Sequence, residues 1–357
     1  MENTIASEAN IRFGIKNFSE EAILKAFIST AVDVHFPLAC WKLPGEPALH
    51  ILIDISGIPD VATGKLEDLK RGFFFAPFLN EAHEKRLLLK AGIYYNSTLD
   101  FPEIQDDGTV PQFTDKAKKI VKILRKHLEK PSSFPCKYFF SKNASCGTTS
   151  KEEYKNLVKN SIQSINNGDF EKVVVSRNKR IEIRKGFDLI SSFLSLSKKY
   201  TNAFVSLVSI PDVGTWIGAT PETLIRIDSQ NTFFTESLAG TQQLNPGQSV
   251  SDVTWTQKEI EEQALVSRYI INCFKEIRLR EFEEIGPRTI IAGNLLHLRT
   301  IYKVDTGSAG FPNLGTTMLQ LLHPTSAVCG MPKKPALDFI LKHEKHERSY
   351  YSGFLGP

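Results

Sequence analysis

Four short stretches of this sequence place proton-carrying or anionic side chains where apolar neighbours predominate. Lys172 heads a run of valines in FEKVVVSR (170–177), and Glu222 follows a proline between GTWIGAT and TLIRI. His297 lies inside GNLLHLRTIY, and Glu259 and Glu262 fall one helical turn apart in QKEIEEQALV. Lysine, glutamate and histidine are the types that carry protons in general acid–base chemistry, and withdrawal from water moves the pKa values of lysine and glutamate toward neutrality. Each residue also has an ordinary explanation when taken alone. Lys172 can snorkel from a strand's frayed start, Glu222 can be solvated at a strand start, His297 can be a satisfied core residue, and the glutamates can form a wet helix face.

The elements that must position these residues follow from patterning. Three successive β-branched valines predict a strand at FEKVVVSR, and so continuous an apolar run is typical of one buried on both faces, with Lys172, Val174 and Ser176 sharing one side. ALHILIDI (48–55), RGFFFAPF (71–78), NAFVSLVSI (202–210), GTWIGAT (214–220), ETLIRI (222–227) and NTFFTESLAGT (231–241) read as further strands. Helices are predicted over 115–130 and 187–200, and after Ser150, whose spacing to Glu153 is that of a capping box and whose helix stops at NNGD (166–169). KPSSFPCKYFFSKNASCGTTS (130–150) reads as a loop separating an N-terminal region from the rest of the chain. Runs of strands in hairpin order among long helices indicate an α+β fold with largely antiparallel sheets.

Composition narrows the function classes. The chain has 357 residues, 41% of them hydrophobic, enough for one large core or two joined ones. A net charge of +4 from 44 basic and 40 acidic residues leaves no basic stripe for nucleic acid; the most basic stretch, KAKKIVKILRKHLEK (116–130), has helical apolar spacing and reads as a solvated helix face. The five cysteines form no C-x-x-C pair and lack histidines at metal-ligand spacing, so thiols in a reducing cytoplasm are expected. Neither a signal-peptide pattern at MENTIASEANIRFGIKN nor a run of roughly 18 apolar residues is present. G-x-x-x-x-G-K-[ST] and G-x-G-x-x-G are both missing, which removes most nucleotide chemistry.

An ordered set of segments carries more. FEKVVVSR, GTWIGATPETLIRI, ESLAGTQ, KEIEEQALV, GNLLHLRT, LLHPTSAVCGMPKKPAL and HERSYYSGFLGP resemble, in order and approximate spacing, the chorismate-utilising enzymes, above all the isochorismate synthases of menaquinone or siderophore biosynthesis. The resemblance covers about 150–357. It implies the anthranilate synthase component I-like fold: two facing, largely antiparallel sheets with outer helices. Residues 1–145 are then an N-terminal region of the same large α+β unit, and 146–357 the chorismate-binding catalytic region.

The resemblance also implies roles. Lys172 stands where relatives that add water to chorismate have a general base, and Glu222, in P-E-x-L, takes the acid role. Water then attacks C2 and the C4 hydroxyl leaves, an isomerisation needing neither ammonia nor a glutaminase partner. Ala239, Gly240 and Thr241 match substrate-binding positions, and small Ala239 replaces the lysine of aminodeoxychorismate synthases. His297 matches a ring-pocket histidine and Tyr351 a carboxylate-binding tyrosine. Glu262, with Glu259 beside it, matches a Mg2+-binding glutamate. Gln263 stands where the family usually has histidine, and Ser349 where it has glycine.

The relatives continue past the segment matching GFLGP, with core strands, substrate-binding groups and an E-x-x-E helix of metal ligands. The resemblance therefore implies a C-terminally incomplete copy with little activity, in which Glu344 and Glu347 cannot stand in for that pair. Salicylate synthase and a catalytically dead chorismate-fold binding protein are the alternatives, chorismate being the small-molecule partner, with no nucleic acid or membrane.

Overall fold

LACWK and LHILI are buried at every position but Lys42, which demands neighbours on both edges and cover on both faces. They form β1 (Leu38–Lys42) and β2 (Leu49–Ile53) at the centre of a six-stranded sheet. Its other strands are β6 (Ile93–Asn96), β7 (Glu103–Ile104), β9 (Phe204–Ile210) and β10 (Gly214–Thr220), in the order β10-β9-β1-β2-β6-β7, all antiparallel. Strands from before residue 105 and after residue 203 thus share one ladder. The computed structural model describes residues 14–79, 86–105, 113–130, 136–142, 147–245, 247, 249–292 and 295–357.

A second sheet joins β3 (Asp60–Val61), β4 (Gly72–Ala76), β5 (Leu87–Lys90) and β16 (Phe354–Gly356) in the order β16-β4-β5-β3. It faces the first through a core containing Trp41, Leu52, Phe73, Phe75 and Leu89. Helices α1 (Glu20–Asp33), α2 (Phe113–Glu129) and α4 (Leu189–Lys199) cover the first sheet's other side, where Phe27, Leu124 and Phe193 meet Leu38 and Ile51; α3 (Lys151–Asn166) carries the expected capping box of Ser150 and Glu153.

The third sheet is β11 (Arg226–Ile227), β12 (Thr232–Gln243), β13 (Glu283–Ala292) and β14 (Leu295–Asp305), ordered β11-β12-β14-β13. Its period-2 pattern sends Phe233, Thr235, Ser237, Thr300, Tyr302 and Val304 to one buried side. There α5 (Gln257–Glu276) and α6 (Leu314–Leu322) pack through Ile270, Phe274 and Met318. The opposite side, with Glu236, His297 and Arg299, is only half covered. A short ribbon of β8 (Lys172–Val173) and β15 (Gly330–Met331) precedes α7 (Lys333–His343).

Two expected strands are shorter than their apolar content predicts. FEKVVVSR is a strand only at Lys172–Val173 and is half-buried from Lys172 to Ser176 rather than buried on both faces. Side chains take over its ladder: the Val174 carbonyl accepts from Arg348 Nη2 at 2.8 Å, and the Ser176 N–H donates to Glu344 Oε1 at 2.6 Å. ETLIRI is a strand only at Arg226–Ile227, because the Thr223 N–H donates to Glu236 and the Leu224 carbonyl accepts from Thr235 Oγ1. The 130–150 loop is described only in part, at 130, 136–142 and 147–150, without regular helix or strand; Cys146 and the N-terminal stretch to Phe13 lie outside the described residues. Among those described, no helix is long and apolar enough to cross a membrane.

Candidate active site

Lys172 leads the two-residue strand β8, and Glu262 projects from the second turn of α5. Their side chains meet, Lys172 Nζ lying 3.4 Å from Glu262 Oε1, with the lysine side chain 25% exposed. Folding has therefore joined two residues 90 positions apart. Glu262 has a side chain 41% exposed, so the pair sits at the edge of solvent. An ion pair this open contributes little to stability but fixes direction.

Glu222 lies in the irregular stretch between β10 and β11. It lines a cavity with Thr223, Thr235, Glu236, Tyr269 and Thr325. Desolvation pushes its carboxyl up from 4.5 to about 7, the negative charge of Glu236 adds to the shift, and Lys172 opposes it. A carboxyl poised there can hold a proton near neutral pH and release it to a leaving group.

Ala239, Gly240 and Thr241 occupy the bulge of β12, where the register with β14 slips between Ala239 and Gln242. Gly240 adopts φ +63°, and a Cβ there would come within 3.2 Å of both Glu259 Cβ and the Trp255 ring, so conformation and space both favour glycine. The Gly240 carbonyl sits 2.8 Å from His297 Nδ1. A carbonyl cannot donate, so Nδ1 carries the hydrogen and Nε2 is the acceptor of a neutral ring. Burial lowers the His297 pKa, against the raising influence of Gly240 and Glu262. Thr241 is exposed.

Glu259 is engaged at the start of its own helix. Its Oε2 accepts from the Thr256 N–H at 2.7 Å and from the Thr256 hydroxyl at 2.6 Å, closing a capping box at the start of α5. Glu262 lies outside the cap and is ion-paired to Lys172, and no group of three or more His, Cys, Asp or Glu that could hold a metal occurs among the described residues. These residues do not by themselves fit a Mg2+ site, which takes near-octahedral oxygen coordination.

Gln263 is buried, and its Nε2 donates to Ser237 Oγ at 2.8 Å and Thr300 Oγ1 at 3.1 Å. It clips α5 to β12 and β14, while its Oε1 is buried without a protein partner. Tyr351 is 57% exposed, whereas the adjacent Tyr350 stacks on Phe75 with ring centroids 4.1 Å apart.

Sequence reasoning passed over two features. Glu236 sits on the half-covered face of β12, its Oε2 4.0 Å from Arg299 Nη1. A glutamate in an alternating strand reads as solvated, and only its place two residues after Phe234 in an otherwise apolar stretch could have marked it. The Glu344–Arg348 pair is the second: Arg348 Nη2 lies 2.6 Å from Glu344 Oε1, and both side chains are 3% exposed. Arg348 also donates to the carbonyls of Val328 and Val174, while Ser176 Oγ lies 3.1 Å from His346 Nε2. This buried network anchors the chain immediately beyond Lys172.

A family model described as chorismate binding enzyme matches residues 92–357. Among curated proteins the chain is 26% identical over 213 residues to the vibriobactin-specific isochorismate synthase of Vibrio cholerae, covering 58% of this chain and 53% of that one. It is 28% identical over 154 residues to the isochorismate synthase EntC of Escherichia coli, covering 42% and 38%. The chain thus spans about half, or less, of the length of these relatives. Among solved structures, the menaquinone-specific isochorismate synthase MenF of Escherichia coli superposes with a TM-score of 0.65 at 18% identity, over 96% of this chain and 79% of that one. Anthranilate synthase component I of Streptococcus pneumoniae gives 0.56 at 14% identity, over 89% and 77%. Identities this low speak for the fold alone, and the fold is that of anthranilate synthase component I. With the family model matching most of its length, the chain belongs to the chorismate-binding enzymes.

Proposed function

We propose that this chain binds chorismate and converts it to isochorismate. The observation that carries the reading is Glu222, a carboxyl pushed up to about 7, under the electrostatic influence of a lysine at the family's water-activating position. Lys172, once neutral, takes a proton from water as the oxygen bonds to C2. The ring double bonds shift, the C4–O bond breaks, and Glu222 gives its proton to the departing hydroxyl, which leaves as water. One water enters and one departs, so the step is an isomerisation needing no ammonia and no glutaminase subunit. His297 offers its Nε2 lone pair to a substrate hydroxyl, and Ala239 and Gly240 are read as substrate-binding positions. Thr241 and Tyr351 belong to the same proposal as contacts to the substrate carboxylates.

The family resemblance implies Mg2+, for which Glu262, ion-paired to Lys172, is the one carboxylate of the two outside the helix cap. Glu262 otherwise holds Lys172 in place, and the proton transfers above involve Lys172 and Glu222 only. A reducing cytoplasmic setting is part of the reading, supported by the buried free thiols of Cys40, Cys136, Cys273 and Cys329. Incubation with chorismate and Mg2+ and identification of the product by NMR tests the proposal. Isochorismate is expected. Salicylate with pyruvate would assign a salicylate synthase instead, and unchanged chorismate bound by the protein would assign a binding protein.

A further inference from the structure

Glu236 has no part in the proton transfers proposed above, yet the structure spends several interactions on it. Its Oε1 accepts from the Thr223 N–H at 3.0 Å, the peptide immediately after Glu222. One residue earlier on β12, Thr235 Oγ1 donates to the Leu224 carbonyl at 2.8 Å. Two adjacent strand residues thus hold the irregular stretch that presents Glu222. Glu236 is also a second carboxylate lining the Glu222 cavity. Its side chain is 13% exposed, and its other oxygen lies 4.0 Å from Arg299 Nη1.

The two carboxyls are unequally supported. Burial raises the Glu236 carboxyl too, but a backbone N–H, the Arg299 guanidinium on β14 and the charge of Arg226 on β11 oppose it and favour the anion. Glu222 has only the charge of Lys172 on β8, and α5 offers the cavity the neutral phenol of Tyr269. Like charges confined to one low-dielectric cavity do not both ionise cheaply, so a proton shared by the pair goes to the member with weaker anion support.

We propose that Glu236 is a positioning residue for Glu222: it fixes the irregular stretch around Glu222 through the Thr223 amide and brings like charge to the same cavity, so that the pair's proton resides on Glu222. This rests on the reading of Glu222 as the acid, but its test does not need turnover.

The carboxyl carbons of 13C-labelled glutamate in the full chain are followed by NMR across pH 4–9 in the unsubstituted protein, Glu222→Gln, Glu236→Gln and Arg299→Gln. The signal that disappears in Glu222→Gln identifies Glu222. In Glu236→Gln its midpoint should fall by about one pH unit or more. In Arg299→Gln, which keeps the Thr223 bond, the midpoint of the second carboxyl should rise. A purely structural role would lower the melting temperature of Glu236→Gln and leave the Glu222 midpoint unmoved, which would overturn the proposal. Should Glu236→Gln fail to fold, unmoved midpoints for both carboxyls in Arg299→Gln would overturn it equally. Absence of isochorismate from the product assay would sink the functional reading alone, since the titration stands without it.

Discussion

In the proposed reaction Lys172, ion-paired to Glu262, and the half-buried Glu222 divide the proton transfers between them. The proposed roles fall to these two because Glu262 is ion-paired to Lys172, Glu236 accepts from the Thr223 amide and Glu259 closes its helix cap. Lys172→Ala and Glu222→Gln should therefore each lower turnover of chorismate by roughly 10²- to 10⁴-fold, with smaller changes in KM. Near-normal rates in either variant would refute its assigned role.

Glu222 also makes stability depend on pH, with a definite sign. Its carboxyl titrates near 7 in the folded chain and near 4.5 when exposed, so between those values the folded state holds a proton that the unfolded state has released. Stability from this group is then present at low pH and is lost as pH rises from about 4.5 through about 7. Glu222→Gln should flatten that decline in urea unfolding midpoints measured from pH 5 to 8; an unchanged slope would count against it. Lys172 and Glu222 stood out in the sequence beside apolar runs, but each had an ordinary explanation there and their proposed roles came only with the family resemblance. Glu236 did not stand out, since a strand's half-covered face admits glutamate freely and only the fold shows what it touches.

At the scale of elements, α5 decides where Glu262 stands, and Gln263 decides where α5 stands. Its amide spans from the helix to Ser237 on β12 and Thr300 on β14, both buried. Gln263→Ala should cost about 1–3 kcal/mol in chemical unfolding, because the bonds are lost and a void replaces the amide. The loss should stay toward the low end, since Ser237 Oγ retains Ser267 Oγ at 2.9 Å and the unpartnered Oε1 disappears with the side chain. A variant as stable as the parent would show that α5 is held by its apolar face alone. Periodicity and capping chemistry made α2, α3, α4 and the long strand β12 readable, Ser150 and Glu153 starting α3 as their spacing implies, whereas the long strands β13 and β14 were not predicted. The stretches around Lys172 and Glu222 were overextended for one shared reason. Three valines or TLIRI show that a segment suits a strand, but not whether its amides will meet another backbone or the side chains of Glu344, Arg348 and Glu236.

Across the whole molecule, sheet edges differ in how they are protected. The outer edge of β13 carries Glu283, Glu284 and Arg288, charges that discourage further pairing. The outer edge of β10 has no such guard: GTWIGAT is uncharged, Ile217 is 41% exposed, and among the described residues no strand pairs with it on that side. The extended stretch after β8 adds Ile181 at 74% and Ile183 at 57% exposure. An uncharged edge and exposed β-branched residues on one chain make a template for association through backbone pairing. The purified chain should therefore self-associate with rising concentration, and Ile217→Lys together with Ile181→Lys should raise the monomer fraction in size-exclusion chromatography with light scattering. Neither substitution touches Lys172, Glu222 or Glu262, so a change in monomer fraction would report on the edge rather than on the cavity. A parent chain that stays monomeric at about 100 μM would show that the β10 edge is protected by its twist or by covering backbone, and that its lack of charge carries no cost.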